Sequence, residues 1–572
     1  MGQVGQVGLA GQAKSRRSSP GLYRERRRIG EAGWAALILA VLTVVLTYPI
    51  SIHPGSTSLG NDPDVHTYTW TLAWDVHALT TQPWDVFDAN IFFPYAQTLA
   101  FSENLIGSAF LAAPFLWTTG NPVLALNAVS LLSVFLCGLG VYVLGRRLGL
   151  GFAAALIAGI VFAFSPARFF RFAQTHLTTI QWMPFALAAL IAYLDGAGRR
   201  HLWLAIGLFT LQALTSGHGA VYLLIAAALL VLCRLMSGTP LAPLQRLRDA
   251  GLPGLALLLP TVWMMPPYFR VQRELGLRRS LENWAPAAIS FLASPSTLHA
   301  WILSKVTATP INTAASAFMF PGYAPILLTA ASLLPGHPTI KRRDVVFFVV
   351  LTVLAVLLSA GPPLGLWPYV YWLPGFNFIR IPSRFILLAM MGIAVLAGIG
   401  FDRLIGRITP SRARIAGVIV AAILVAEFSL VPLPVQPYTV EIPSLDRWLD
   451  TQPKPFAIAE VPVRPLVRYH STYMLHSMAH WQRTVHGHSS LLTPLHEQLY
   501  DQLRTFPDSG SVAHLKSLGV RYVVVHRDWY EPGEWPDVER RLGEQAHDLT
   551  LVHEEAGGRI YRFAVFPAEP RN

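Results

Sequence analysis

The stretch GNDPDVHTYTW, residues 60–70, places two carboxylates, Asp62 and Asp64, on either side of a proline. It follows an apolar run over residues 34–52 that is long enough to enter a membrane, since a spanning helix needs about 17–25 such residues. It also opens the aromatic segment VHTYTWTLAWDVHALT, which has the pattern of a helix lying along a membrane surface. The stretch therefore predicts a first membrane span followed by acidic residues at one membrane surface.

The whole chain has the composition of a polytopic membrane protein. Of its 572 residues, 53% are hydrophobic and only 13% are charged, and its mean hydropathy is +0.43. The net charge of +12 comes from short arginine clusters between apolar runs, which argues against a nucleic-acid partner. Cys137 and Cys233 lie inside apolar runs and indicate neither a disulfide nor a thiolate metal site.

The apolar runs predict a transmembrane helical bundle of about eleven spans. They cover residues 34–52, 123–144, 152–165, 180–194, 202–216, 220–235, 252–267, 323–334, 345–360, 385–401 and 415–431. The Lys/Arg clusters fall in alternate loops, at residues 26–28, 146–147, 199–200, 234–248, 341–343 and 403–414. By the positive-inside rule these loops are cytoplasmic, so the first loop, 51–122, and everything after residue 431 are predicted to lie outside.

Two segments flank the predicted membrane domain, 31–431. Residues 1–30 have the composition of a disordered basic cytoplasmic tail. Residues 432–572 predict a small α/β domain: AIAEVPV (457–463) is a buried strand, and SVAHLKSLGVRYVVVH contains a helix over 511–518 and a strand over 521–526. LTLVHEE and GRIYRFAV are expected to form a terminal hairpin.

The unexpected polar residues gather on the predicted outer face. They are Asp62, Asp64, His66 and Glu103 in the first loop and His176, His218, Arg380 and Arg384 in later loops. A carboxylate at the edge of a low-dielectric region could act as a general base or a metal ligand. Structural roles compete: Asp64 as a helix N-cap, which N-cap preference favours, and Glu103 as a first-turn acid of the helix NLIGSAFLAAPFLW.

Two sets of basic residues could bind substrate. In FNFIRIPSRF (376–385), Arg380 and Arg384 are four residues apart in apolar surroundings, which favours a phosphate-bearing lipid over snorkelling to headgroups, and Arg278 with Arg279 is a second candidate. His480 begins HWQRTVHGHSS, a segment expected to fold over the outer site.

The spacing of His476 and His480 would also let two imidazoles share a metal, with His486 and His488 close behind. Because no third ligand is evident, a polar helix facing the membrane domain is the preferred interpretation.

These features resemble the GT-C superfamily of integral membrane glycosyltransferases. The resemblance covers most of the chain after about residue 30 and is carried by GNDPDVHTYTW, IFFPYAQTLAFSENLIGS, RFAQTHLTTIQWMPF, FIRIPSRF and LKSLGVRYVVVH. It implies an inverting transfer, at the outer face of a bacterial plasma membrane, from a polyprenyl-phosphate sugar to a glycan, lipid or protein acceptor. Asp62 would be the base, with Asp64 the adjacent alternative and Glu103 a further acid, and Arg380 and Arg384 would stabilise the leaving phosphate.

The first loop departs from the family pattern in one respect, and this weakens what the resemblance implies about a metal ion. It has Asp-Pro-Asp instead of adjacent acids, so a divalent cation at Asp62 and Asp64, magnesium or manganese, is an option and not a requirement. The motif that reads protein glycosylation sequons is absent, which disfavours protein N-glycosylation.

Two functions of other classes compete with sugar transfer. A transporter or lipid-handling protein would place its ionisable groups near the middle of its spans, whereas here they lie at one rim. A non-catalytic assembly scaffold would use the first-loop acids only as helix caps, so that replacing Asp62 would alter stability and leave no sugar phenotype.

Overall fold

The computed structural model describes residues 20–60, 63–169, 171–172, 174–238, 243–276, 286, 288–302, 318–335, 340–361, 365–373, 379, 381–464, 467–489 and 491–564. Four of the predicted site residues, Asp62, Arg278, Arg279 and Arg380, lie outside these ranges.

The amino-terminal three quarters of the chain is helical. Its helices are α1 (Pro20–Leu46), α2 (Pro63–Thr81), α3 (Ile106–Thr119), α4 (Pro122–Leu148), α5 (Phe152–Phe164), α6 (Pro166–Phe169), α7 (Thr175–Thr178), α8 (Trp182–Leu194), α9 (Arg199–Thr215), α10 (Gly217–Met236), α11 (Pro243–Leu275), α12 (Thr297–Ile302), α13 (Tyr323–Ala331), α14 (Arg342–Ser359), α15 (Trp367–Val370), α16 (Ile386–Ile405) and α17 (Pro410–Phe428). Each predicted apolar run overlaps one of them. Because α1 begins at Pro20, the prediction of a disordered tail is wrong for residues 20–30.

Six helices in the described part of the chain are long and apolar enough to cross a membrane. They are Ile29–Leu46, Pro122–Leu148, Thr175–Leu194, Gly217–Met236, Gln245–Leu275 and Pro382–Ile405, and shorter apolar helices cover Ile106–Thr119 and Phe152–Arg168. Close packing between them depends on small residues: a Cβ on Gly159 of α5 would lie 2.7 Å from the carbonyl oxygen of Gly138 in α4. The chain is therefore a multi-pass helical membrane protein.

The Lys/Arg clusters between the helices meet at one end of the bundle. Asp195 pairs with Arg343 (2.6 Å) and Lys341 (2.9 Å), and it lies 3.9 Å from Arg147. Arg234 Nη2 lies 3.7 Å from the same carboxylate. The basic residues come from three of the six predicted clusters, 146–147, 234–248 and 341–343, and the structure places those three together.

A five-stranded sheet follows the last long helix. The domain that contains this sheet consists of α18 (Ser444–Asp450), β3 (Ala457–Val461), α19 (Val467–His476), β4 (Arg483–Thr484), α20 (Pro494–Leu503), α21 (Ser509–Leu518), β5 (Tyr522–Val525), α22 (Trp535–Glu544), β6 (Leu549–Glu555) and β7 (Gly558–Phe563). The strand order is β4-β3-β5-β7-β6, with β3 parallel to both β4 and β5 and with β6 and β7 antiparallel. The predicted buried strand, the helix and strand after it, and the terminal hairpin are confirmed.

The first loop packs against this sheet domain. A short strand, β1 (Thr57–Ser58), pairs with β2 (Gln436–Pro437), and the backbone N–H of Phe93 donates to the Thr484 carbonyl at 3.0 Å. The residues of α2 from Val65 to Val76 are all buried, because α3, α4 and α19 surround the helix. The predicted interfacial helix α2 is therefore covered by protein over these residues.

Candidate functional site

The first turn of α2 carries Asp64. The helix begins at Pro63, so Asp64 lies inside its first turn and is not the N-cap that the sequence favoured. Its Oδ2 atom accepts a hydrogen bond from the Gln174 amide at 3.3 Å. This contact joins the first loop to the loop before α7, which is where RFAQTHLTTIQW lies in the sequence.

Aromatic contacts continue inward from that point. Tyr68, one turn after Asp64, stacks on the His176 ring with centroids 4.8 Å apart. The His176 ring in turn meets the edge of His218 at 5.3 Å. Both histidines are buried, with 3% and 4% of their surface exposed. The structure therefore brings two predicted residues, His176 of α7 and His218 of α10, together with Tyr68 of α2.

His218 bridges an acid and a guanidinium. Its Nδ1 atom bonds Glu103 at very short range, and its Nε2 atom accepts from Arg384 Nη1 at 2.9 Å. Because Arg384 can only donate, Nε2 is unprotonated and Nδ1–H donates to Glu103, so the imidazole is neutral. Glu103, His218 and Arg384 are thus linked as carboxylate, neutral ring and cation.

Glu103 also caps a helix, although not the predicted one. The helix after it, α3, begins only at Ile106, whereas Glu103 Oε2 accepts from the Gly217 amide at the start of α10, at 2.6 Å. The dipole of α10 favours a negative charge at that end. Burial alone would raise the pKa of Glu103, but His218, the Gly217 amide and Arg384 hold it below its usual value. Glu103 is therefore ionised at neutral pH.

A second guanidinium, that of Arg171, lies beside Arg384. It is 3% exposed and donates to Ser383 Oγ, next to Arg384 in the chain, at 3.3 Å. Burial and then the charge of Arg384 lower the pKa of Arg171 to about 10, which leaves it charged at neutral pH. Within the described ranges neither guanidinium forms a direct ion pair with a carboxylate. Glu103, Arg171 and Arg384 together carry one net positive charge.

Most of this cluster was predicted from the sequence, but Arg171 and Gln174 were not among the predicted site residues. Both crowd the same short loop as His176, in RFAQTH, and polar residues at that density in an apolar chain were the available signal. Nothing in the sequence pointed to Tyr222. Its hydroxyl donates at 2.9 Å to the backbone carbonyl of Arg384, which is 162 positions away in the chain.

Two predicted residues lie elsewhere. His66 faces the C-terminal domain, where its Nδ1 atom contacts Ser471 Oγ at 3.0 Å, and burial lowers its pKa to about 4. It is therefore neutral at pH 7 and supplies no charge for a phosphate. His480 is 1% exposed inside the C-terminal domain, 3.6 Å from Asp446, so it is not part of the cluster. HWQRTVHGHSS nevertheless contacts the first loop, since His488 Nδ1 lies 2.8 Å from Thr67 Oγ1.

Neutralising Glu103 tests its role as a cap. Glu103→Gln is expected to lower the free energy of unfolding by about 1–3 kcal/mol, because a charged acceptor of two buried donors is lost. Thermal unfolding of the purified chain measures this. Glu441→Gln, at an exposed carboxylate, should leave the melting temperature unchanged. Equal melting temperatures for Glu103→Gln and wild type would contradict the cap.

A buried acid in α2 predicts a pH-dependent stability. Asp75 is fully buried, and burial raises its pKa to about 8 from 3.8, with the Leu105 amide opposing this. Below about pH 4 both the folded and the unfolded states hold the proton; between pH 4 and 8 only the folded state does, so stability falls as pH rises. The Asn side chain of Asp75→Asn stays neutral at every pH. At pH 8 the free energy of unfolding of this variant should therefore exceed that of the wild type by on the order of 2 kcal/mol. Melting curves at pH 4 and 8 test this, and an advantage that does not grow with pH would contradict it.

Comparison with known proteins supports the fold. No protein-family model matches the sequence, and no curated protein matches it. Among solved structures the chain is similar to the arabinofuranosyltransferase AftD from Mycobacteria, with a TM-score of 0.57 and 15% identity over 93% of this chain and 41% of that one. It is also similar to ArnT from Cupriavidus metallidurans, with a TM-score of 0.43 and 13% identity over 94% and 98% of the two chains.

The chain thus spans less than half the length of the arabinofuranosyltransferase. That similarity shows the fold alone: over most of its length the chain folds like this arabinofuranosyltransferase, in agreement with the predicted transmembrane helical bundle.

Proposed function

We propose that the chain is a membrane glycosyltransferase that transfers a sugar from a polyprenyl-phosphate donor to an acceptor on the outer face, with inversion. The carrying observation is the pair of buried guanidiniums, Arg171 and Arg384. Arg384 is linked to the first-loop helix α2 through His218, His176 and Tyr68. Polyprenyl phosphate leaves as an anion, so the reaction needs fixed cations at that point. The similarity in fold to an arabinofuranosyltransferase makes a pentose the first donor sugar to test.

In the proposed reaction an acceptor hydroxyl attacks the anomeric carbon of the donor. Asp62, one residue before α2, takes the hydroxyl proton, a new glycosidic bond forms, and the bond from the anomeric carbon to the phosphate oxygen breaks. One base is sufficient, in contrast to glycoside hydrolysis, where a second carboxyl protonates the leaving oxygen. The electron pair stays on the phosphate, whose charge Arg171 and Arg384 stabilise, with Arg380 as a further candidate.

Several residues would position these groups. The Glu103 carboxylate, through His218, fixes the Arg384 guanidinium, and Gln174 holds Asp64, two residues after the proposed base in the sequence. If a magnesium or manganese ion takes part, Asp62 and Asp64 are the residues proposed to hold it, where it would screen the phosphate charge. No step above depends on that ion.

The location of the buried charges favours transfer over transport. The Arg234–Asp344 pair, 2.7 Å apart, lies in the last turn of α10 and the first turn of α14, at the Lys/Arg-rich end. The Glu103–His218–Arg384 chain involves the opposite end of α10. A translocation path would need ionisable groups near the middle of the spans.

The direct test is to incubate the purified chain with a panel of polyprenyl-phosphate sugars and to measure released polyprenyl phosphate. The proposal predicts release with at least one sugar, a pentose first, and loss of release in Asp62→Ala. No release with any donor, in the presence of membrane glycan and lipid acceptors, would refute it. A scaffold function predicts no release and altered stability of Asp62→Ala.

A further inference from the structure

Two carboxylates and two imidazoles meet in the core of the C-terminal domain. They belong to Asp446, Glu460, His476 and His526, and one ligand atom from each lies within 4.8 Å of the others. All four side chains are buried, with 0–3% of their residue surface exposed. Charged groups at such depth occur only where they are paired or hold a cation.

The fold assembles this quartet from four elements. Glu460 lies near the carboxyl end of β3, and His526 directly follows β5, the parallel neighbour of β3. The carboxyl ends of adjacent parallel strands share one edge of a sheet, where α/β folds place their ligands. His476 ends α19, and Asp446 lies in the first turn of α18. The residues lie far apart in the chain and converge only through tertiary structure.

Contacts inside the quartet leave several acceptors unsatisfied. Glu460 Oε2 accepts from His476 Nδ1 at 2.8 Å and from His526 Nε2 at 2.7 Å. Both oxygens of Asp446 and Oε1 of Glu460 have no hydrogen-bond partner among the described residues. Asp446 Oδ2 is 3.8 Å from His476 Nδ1, which is too long for a hydrogen bond. Buried carboxylate oxygens without partners are costly unless something absent from the protein chain satisfies them.

We propose that Asp446, Glu460, His476 and His526 bind a zinc ion that stabilises the C-terminal domain. Two nitrogen and two oxygen donors suit zinc, whereas calcium and magnesium prefer oxygen ligands alone. The four side chains fill the coordination of a closed site, which is typical of a structural ion. The proposal is independent of sugar transfer, because none of the four residues contacts the cluster around Arg384 in the described structure.

The position of α19 suggests what the ion would support. One end of this helix carries His476, and its Ser471 contacts His66 of α2, the helix whose first turn holds Asp64. Asn90 of the first loop also donates to Ser477 Oγ, immediately after His476, at 3.1 Å. A zinc ion at the quartet would therefore fix the surface on which the first loop is packed.

The test uses the full-length chain, purified in detergent with an affinity tag that contains no histidine. Elemental analysis should find about one zinc per chain. Asp446→Asn and Glu460→Gln should each lose most of that zinc. His496→Gln replaces a buried histidine of the same domain outside the quartet and should retain it.

Chelation of the wild-type chain keeps the proposal testable if a variant fails to fold. Removing the metal should lower the melting temperature by several degrees, and zinc added back should restore it where magnesium does not. Substoichiometric zinc in the purified chain, with no uptake and no change in melting temperature when zinc is added, would overturn the proposal. The quartet would then be held together by hydrogen bonds between its carboxylates and imidazoles, without a metal ion.

Discussion

Arg384→Gln is expected to lower the rate of sugar transfer about 100- to 1,000-fold, the usual effect of removing a fixed donor that stabilises charge in the transition state. The Arg384 guanidinium is 8% exposed and is oriented by the neutral His218 ring, so its charge acts in a site from which water is largely excluded. Its removal also leaves Arg171 as the one cation of the described cluster. Polyprenyl phosphate release by the purified variant measures the effect.

Two further variants separate charge from geometry. Arg384→Lys keeps the charge and loses the planar fork, so it should retain more activity than Arg384→Gln. Arg270→Gln, at an exposed arginine of α11, should transfer at the wild-type rate. If Arg384→Gln folds normally and transfers as fast as Arg270→Gln, Arg384 does not stabilise the leaving phosphate.

Asp62→Asn is expected to lower the rate about 100- to 10,000-fold, the contribution of a positioned general base. The amide preserves the size of the side chain, but it cannot take up the proton of the attacking hydroxyl group. In the sequence Asp62 directly precedes the first residue of α2, and Asp64 in the first turn of that helix is held by Gln174. The same release assay measures the loss.

Asp64→Asn is the matched control for this substitution. If Asp62 is the base, Asp64→Asn should retain far more activity, because an asparagine can still accept from Gln174. The reverse order of the two variants would assign the base to Asp64. Wild-type rates in both variants would contradict a first-loop base altogether.

Local pattern accounts for much of the fold. The apolar runs predict helices because hydropathy and length are properties of contiguous residues, and all of the predicted runs overlap helices. The strand over Tyr522–Val525 and the final hairpin were equally local, since their apolar runs are bounded by a glycine or a short turn. The Lys/Arg clusters also indicated which loops share a face, and Asp195 joins three of those segments.

What the sequence could not supply are contacts between distant elements. The structural role considered for Glu103 was that of a first-turn acid in the next helix, yet its partner is the Gly217 amide, 114 residues away. The aromatic pattern of α2 predicts a helix at a membrane surface, but it does not reveal that α3, α4 and α19 bury this helix.

The buried quartet was missed for the same reason. His476 and His480 have the spacing of a metal pair, but only His476 joins the quartet, and its acidic neighbours come from α18 and β3. A lone glutamate in the apolar strand AIAEV was the available signal.

A structure of the full-length chain in lipid nanodiscs with bound polyprenyl phosphate tests the central claim most directly. The account predicts phosphate density within hydrogen-bond distance, about 3 Å, of the Arg384 guanidinium and beside Arg171. The first turn of α2 should face the open side of that phosphate, where a sugar would be attached. Phosphate bound only at the Lys/Arg-rich end, near Arg147 and Lys341, would contradict the account.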